Sequence, residues 1–157
     1  MYMENQNLLE TQKRIIDTLA QHSTEGIIIT DLERKVTHFN KTAEQIFEYN
    51  IVEVLGKKLE DFFNISDVSG KVDIDKICPI TQADINGEVY IGTKLKLITK
   101  NGKEKLVDIK SIKVKGSVNS GVGCLLFIED TFYKSELERM QLDFVSMAEH
   151  ILKTPIT

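Results

Sequence analysis

Residues 89–99 and 105–115 alternate apolar and polar side chains on either side of Asn101-Gly102, and no other feature limits the fold of this chain more. Alternation at every second residue puts the apolar side chains of a strand on one face. Asn-Gly supplies the positive φ angles that a two-residue hairpin prefers. The segment is therefore read as an antiparallel pair with one face turned to a core. After a turn at Val118–Gly121, Val122 to Ile128 reads as a third, buried strand, and the sheet ends at Glu129-Asp130-Thr131. Near the other end, Gly26-Ile27-Ile28-Ile29-Thr30 and Val36-Thr37-His38-Phe39 flank the charged stretch Leu32-Glu33-Arg34-Lys35 and form a further hairpin.

Helical signals surround these strands. Leu8, Leu9, Ile15, Ile16, Leu19 and Ala20 share one helical stripe, an amphipathic helix suited either to capping a core or to pairing with its own copy. Asn40 stands at an N-cap position ahead of Ala43, Ile46, Phe47 and Tyr49, with Glu44 in the first turns. Residues 51–55 and 59–63 read as two short helical pieces separated by Gly56. Residues 64–88 carry no period and receive no assignment. From Tyr133 the pattern changes: Tyr133, Leu137, Met140, Phe144, Met147 and Ile151 are separated alternately by four and three residues. That spacing is a heptad seam, which predicts a homodimeric coiled coil, although so short a seam also suits a helix lying on its own domain.

Composition removes several classes of function. The 24 acidic and 20 basic residues are interleaved and leave a net charge of -4, so no basic face exists for nucleic acid. The longest apolar runs are far below the roughly 18 residues of a membrane span, and Met1 to Asn7 lacks the regions of a secretory signal. No membrane contact is expected within this chain. Cys78 and Cys124, in apolar surroundings and far apart, have the spacing of neither a zinc knuckle nor a disulfide framework. They are read as buried free thiols in a reducing cytosol. Phosphate loops, dinucleotide fingerprints, His-Glu-x-x-His and serine elbows are absent. Asp84-Ile85-Asn86-Gly87 lacks the later glutamate of a calcium loop and reads as a polar turn, so no metal is expected.

Thr30-Asp31-Leu32-Glu33-Arg34-Lys35-Val36 through Asn40-Lys41-Thr42-Ala43 to Phe47-Glu48-Tyr49 resembles the Asp-x-x-Gly-x-Ile, Asn-x-x-Ala and Phe-Gly-Tyr signature of PAS domains, with Arg34 and Glu48 where many members carry glycine. Glu53-Val54-Leu55-Gly56-Lys57 is similar to that family's Glu-x-Leu-Gly-Lys, and Glu129-Asp130-Thr131 to its closing Asp-x-Thr. The resemblance implies an α+β fold: a five-stranded antiparallel sheet with short helices on one face, at 23–131, between an amphipathic helix at 1–22 and a coiled-coil helix from 132. It also implies a small-molecule cavity between sheet and helices. Its walls would be Ile29, Phe39, Ile46, Phe47, Leu55, Phe62, Phe63, Leu97, Ile109 and Leu126, residues that read equally as packed core. Cys78 lies in Ile-Cys-Pro-Ile, unlike the reactive-cysteine motif of flavin-binding members. None of His22, His38 and His150 stands where haem-binding members place their ligand. The ligand is thus left unidentified and no cofactor is expected.

Phe144 to Thr157, with Glu149-His150-Ile151-Leu152-Lys153-Thr154-Pro155, resembles the phosphoacceptor box of sensor histidine kinases. The resemblance implies that His150 takes the γ-phosphoryl group of ATP, with magnesium, in a parent kinase and passes it to the receiver domain of a response regulator. Neutral imidazole, abundant near neutral pH, is a competent nucleophile for that step. Asp130-Thr131 would be the signalling junction between sensor and helix. The chain stops at Thr157, short of an ATP-binding module, so it is expected to be non-catalytic alone and cytoplasmic, any membrane anchor lying elsewhere in the parent. Ile151 occupies the place where that family carries Glu or Asp, and it supports a rival reading: a PAS interaction module with a degenerate histidine segment.

Overall fold

The computed structural model describes residues 2–79, 87–113 and 122–153. A long helix, α1 (Tyr2–Gln21), leads into β1 (Gly26–Asp31) and β2 (Val36–Phe39). Three short helical pieces follow, α2 (Lys41–Phe47), α3 (Ile51–Val54) and a 3-10 turn at Leu59–Asp61, and then β3 (Ile65–Asp67), β4 (Gly70–Lys71) and α4 (Ile74–Ile77). The long strands β5 (Gly87–Ile98), β6 (Glu104–Lys113) and β7 (Val122–Asp130) precede the C-terminal helix α5 (Thr131–Lys153).

The strands form one antiparallel sheet in the order β2-β1-β7-β6-β5-β3-β4. Seven strands thus stand where five were expected. The two additional ones, β3 and β4, are three and two residues long and lie in the stretch without a period. Strands that short show no alternation; β3 is held in the sheet by pairing with β5, and β4 by pairing with β3. The hairpin between β5 and β6 also differs from expectation. Gly102 has φ +83, but Asn101 is not among the described residues with positive φ. The turn spans 99–103, closed by Thr99 N–H to the Lys103 carbonyl at 2.9 Å and Gly102 N–H to the Thr99 carbonyl at 3.0 Å. The turn at Val118–Gly121, residues 84–86 of the polar turn, and Thr154–Thr157 lie outside the described residues.

Alternation sorts each strand into two faces. Ile28 on β1, Leu95 and Leu97 on β5, Val107 and Ile109 on β6, and Leu126 and Ile128 on β7 point to one side. There they meet Phe39 at the end of β2 and Ala43, Ile46, Phe47, Val54, Leu59, Phe62 and Phe63 from the helical layer. Asn40 locks that layer to the sheet. Its side-chain oxygen accepts from Ile27 N–H at 2.8 Å and from Ala43 N–H, the cap of α2, at 2.9 Å. Its amide donates to the carbonyls of Ala20 at 2.6 Å and Glu25 at 3.0 Å. One buried amide therefore fastens the end of α1, β1 and the start of α2. Asn50 and Glu53 close a reciprocal capping box at α3.

Arg34 and Glu48, the two residues found where the family signature has glycine, both adopt the left-handed backbone that glycine would supply, with φ of 65° and 62°. A side chain in that region costs about 1–2 kcal/mol, and in both cases the side chain makes contacts that glycine cannot. Arg34 is buried, donates from Nε to the Cys78 carbonyl at 2.8 Å and pairs with Asp75 of α4. Glu48 accepts from Thr99 at 3.2 Å and from Asn101. The first ties the β1–β2 turn to α4, and the second ties the end of α2 to the β5–β6 turn.

Candidate functional site

The expected cavity residues divide into three groups. Phe39, Ile46, Phe47, Phe62, Phe63, Leu97, Ile109 and Leu126 are buried together between sheet and helices. Their rings pack closely: Phe39 lies 5.9 Å from Phe47 and 6.0 Å from Phe62, and Phe47 lies 5.5 Å from Phe63. Leu55, by contrast, is 51% exposed at the C-cap of α3, because Val54 takes the inward position. Ile29 points to the opposite side of the sheet. There it joins Ile27, Leu125 and Phe127, with Leu19 and Ala20 of α1, along an open groove of about 530 Å³. Neither Leu55 nor Ile29 faces the interior.

At one end of this interior the inward row becomes polar. Thr30, Ser111 and Lys113 are buried, and the Ser111 hydroxyl has no hydrogen-bond partner among the described residues. Thr30 sits at a bulge in the β1–β7 pairing, where its hydroxyl accepts from Cys124 N–H at 3.2 Å. The two cysteines, read from spacing as free thiols, are here a disulfide, with a Cα separation of 6.0 Å across 46 residues of sequence. Spacing fails at this point because the chain loops out through β3 and β4 before α4 returns Cys78 to the underside of β7. Neither the cysteine pair nor the Arg34–Asp75 pair was foreseen. Arg34 carried a signal in replacing glycine at a turn.

The expected junction is a direct transition. Asp130 is the last residue of β7, paired with Val107 of β6, and Thr131 is the first residue of α5. The Asp130 carboxylate accepts from Phe132 N–H at 3.0 Å, and the Thr131 hydroxyl donates to the Leu106 carbonyl at 2.8 Å. The start of α5 is thereby pinned to both β6 and β7. An open groove of about 360 Å³ lies at the same corner, lined by Ser23, Thr24, Thr42, Gln45, Ile46, Lys105 and Asp130. Lys105 Nζ also donates to the carbonyls of Gln45 and Ile46 at 3.1 and 3.0 Å, satisfying the C-terminal end of α2.

Further along α5, Met140, Met147 and Ile151 of the seam are 62%, 59% and 66% exposed, so these three side chains do not lie on their own domain. The side chains of Tyr133, Leu137 and Phe144 are outside the described set. His150 is exposed on the same helix, next to Ile151. Pro155 lies outside the described residues. Among the described residues no helix is long and apolar enough to cross a membrane.

Comparison with known proteins supplies a family for this geometry. The family described as PAS fold matches residues 13–131. The chain is 24% identical over 154 residues to the sensor protein kinase WalK of Staphylococcus haemolyticus and 25% identical over 162 residues to that of Staphylococcus aureus. Both alignments cover 98% of this chain but only 23% and 34% of those relatives. Among solved structures, the PAS domain of an HTR-like protein from Haloarcula marismortui superposes with a TM-score of 0.58 at 14% identity, covering 77% of this chain and 98% of that one. A PAS domain from a two-component sensor histidine kinase superposes with a TM-score of 0.55, also at 14% identity, over 77% of this chain and 97% of that one. The PAS domain of Bordetella pertussis BvgS gives 0.55 at 18%, over 90% and 98%.

Proposed function

This chain belongs to the PAS family, and from that premise we propose that it is the sensory and signal-transducing region of a two-component sensor histidine kinase. A stimulus at the PAS core, a small ligand or a partner, moves β7, and the movement passes into α5. The observation that carries this reading is the absence of any linker between them: Asp130 closes the strand and Thr131 opens the helix. Because the Thr131 hydroxyl is bonded to β6 as well, sliding or rotating the strands reorients the first turn of α5.

In this reading α5 pairs with its copy along Tyr133, Leu137, Met140, Phe144, Met147 and Ile151. The exposure of Met140, Met147 and Ile151 supports the pairing, since an uncovered apolar seam is stabilised by a partner. His150 stands beside the seam on the outside of the pair. A neutral ring nitrogen attacks the γ-phosphorus of ATP bound by the parent kinase, ADP leaves, and the phosphoryl group passes to an aspartate of a receiver domain. Kinase names among relatives that this chain covers by 23% and 34% support the parent activity as a proposal.

The test uses the longer gene product that carries this chain, incubated with γ-labelled ATP and magnesium. Label on the native protein that is lost in His150→Gln is expected. No label on the native protein, in conditions where a control histidine kinase is labelled, refutes the phosphoacceptor role. It would favour the interaction module suggested by Ile151.

A further inference from the structure

We propose that Cys78 and Cys124 form a reversible disulfide by which this domain registers oxidation and fastens its helical layer to the strand that feeds α5. The two residues come from separate elements. Cys78 is the C-cap of α4, and Cys124 lies on the inward face of β7, six residues before its last, Asp130. Their Cα atoms are 6.0 Å apart, within the range that permits a bond without backbone movement. Both are buried, at 1% and 0% exposure, and Thr30 is shared between them: its hydroxyl lies 3.8 Å from the Cys78 sulfur and accepts from Cys124 N–H.

A permanent structural role fits this location poorly. The chain has a buried apolar cluster of the ordinary kind, so it does not need a cross-link to fold as small secreted domains do. In the reducing compartment of a signalling kinase, disulfides are characteristically transient and redox-sensing. That compartment rests on the function proposed above; the bond itself does not.

The arrangement has the parts of a switch. α4 is four residues long; its Ile77 is buried in the core with Ile74 packed beside it, and two further devices hold it. One is the Arg34 clamp, which grips Asp75 and the Cys78 carbonyl. The other is the sulfur bond. With thiols, the Arg34 clamp and the packing of Ile74 and Ile77 retain α4, and a segment this short opens locally at low cost, admitting a small neutral oxidant. With the bond closed, α4 is covalently part of β7.

The oxidant is a peroxide. One cysteine sulfur attacks a peroxide oxygen, the oxygen–oxygen bond breaks, and a sulfenic acid and water result. The second thiol, losing its proton, attacks the sulfenic sulfur. The sulfur–sulfur bond forms and a second water leaves, so two thiols have given two protons and two electrons. A dithiol reductant reverses the step by exchange.

The 157-residue chain is reduced, freed of reductant, treated with hydrogen peroxide, and alkylated in denaturant. Mass analysis should show loss of both alkylatable thiols, a joined Cys78–Cys124 peptide, and full recovery with dithiothreitol. Two thiols still open to alkylation, a bond between two chains, or oxidation to sulfinic acid without a joined peptide would each overturn the proposal. Hydrogen exchange then tests the fastening. Amides of α4 and β7 should exchange roughly 30-fold to 1,000-fold more slowly in the oxidised chain, the ratio equivalent to the ordinary stabilisation from a cross-link. Equal rates in the two forms would overturn the coupling. Both readouts use the native chain, so neither depends on whether Cys124→Ala folds. Neither involves phosphate transfer, so this proposal and the kinase reading can fail separately.

Discussion

Replacing Asn40 with alanine should be among the most damaging single changes that leave the hydrophobic core intact. The side chain is 4% exposed, and both its donors and both its acceptor positions are used. Alanine removes four hydrogen bonds at once, each worth about 1 kcal/mol net. It also strands Ala43 N–H and Ile27 N–H inside the fold, where an unsatisfied group costs about 1–3 kcal/mol. Partial relaxation and water entry offset some of this, so the expected destabilisation is about 3 kcal/mol, a fall in Tm of roughly 6–12 °C for a chain of this size. Urea denaturation followed by far-ultraviolet circular dichroism measures it, with the m-value unchanged. Asn40→Asp sharpens the test. It keeps both acceptors but sets a carboxylate against the carbonyls of Ala20 and Glu25, so it should not recover the lost stability at neutral pH. A loss below about 1 kcal/mol for Asn40→Ala would show that the amide is an ordinary helix cap and not a three-way fastener.

Two further predictions concern backbone approach and charge. A Cβ at Gly123 would lie 2.0 Å from the Asp31 carbonyl oxygen and 2.8 Å from its carbon. Gly123→Ala should therefore force β1 and β7 apart and lower stability by about 1–3 kcal/mol in a thermal or urea melt, whereas a change near zero would contradict that packing. Burial pushes the Glu48 carboxyl up, but hydrogen bonds from Asn101 and Thr99, followed by the charges of Lys103 and Lys105, outweigh it and hold the group below its ordinary 4.5. Its contribution is present above that pH and lost as pH falls through the lower folded-state value. The stability difference between native protein and Glu48→Gln should then be largest near neutrality and shrink as pH falls below 4.5; a gap independent of pH would refute it.

Legibility in the sequence followed the presence of a period. The β5–β6 pair, the N-cap at Asn40 and the helix α5 were readable because alternation, a capping residue and helical spacing are local patterns. Residues 64–88 were not, since β3, β4 and α4 are too short for a period and owe their form to partners far along the chain. Ile29 was misplaced for a related reason. In Gly26-Ile27-Ile28-Ile29-Thr30 three β-branched residues in succession say strand but not which face is inward, and the inward ones are Ile28 and Thr30. Leu55 missed the interior by a single position. Cys78 and Cys124 meet through topology, which sequence spacing does not encode. Arg34 and Glu48 show the reverse case: the family's glycine positions marked where the backbone turns left-handed, while the replacements' contacts with Asp75 and with Thr99 and Asn101 depend on the assembled fold.

The central claim is that α5 joins two copies of the chain and takes its movement from β7. Light scattering on the 157-residue chain, beside a version ending at Thr131, tests it most directly. The account predicts a dimer that becomes a monomer on truncation. A monomer in both cases, or a dimer in both, would contradict it, and transmission would then have to run through α1 or the outer face of the sheet.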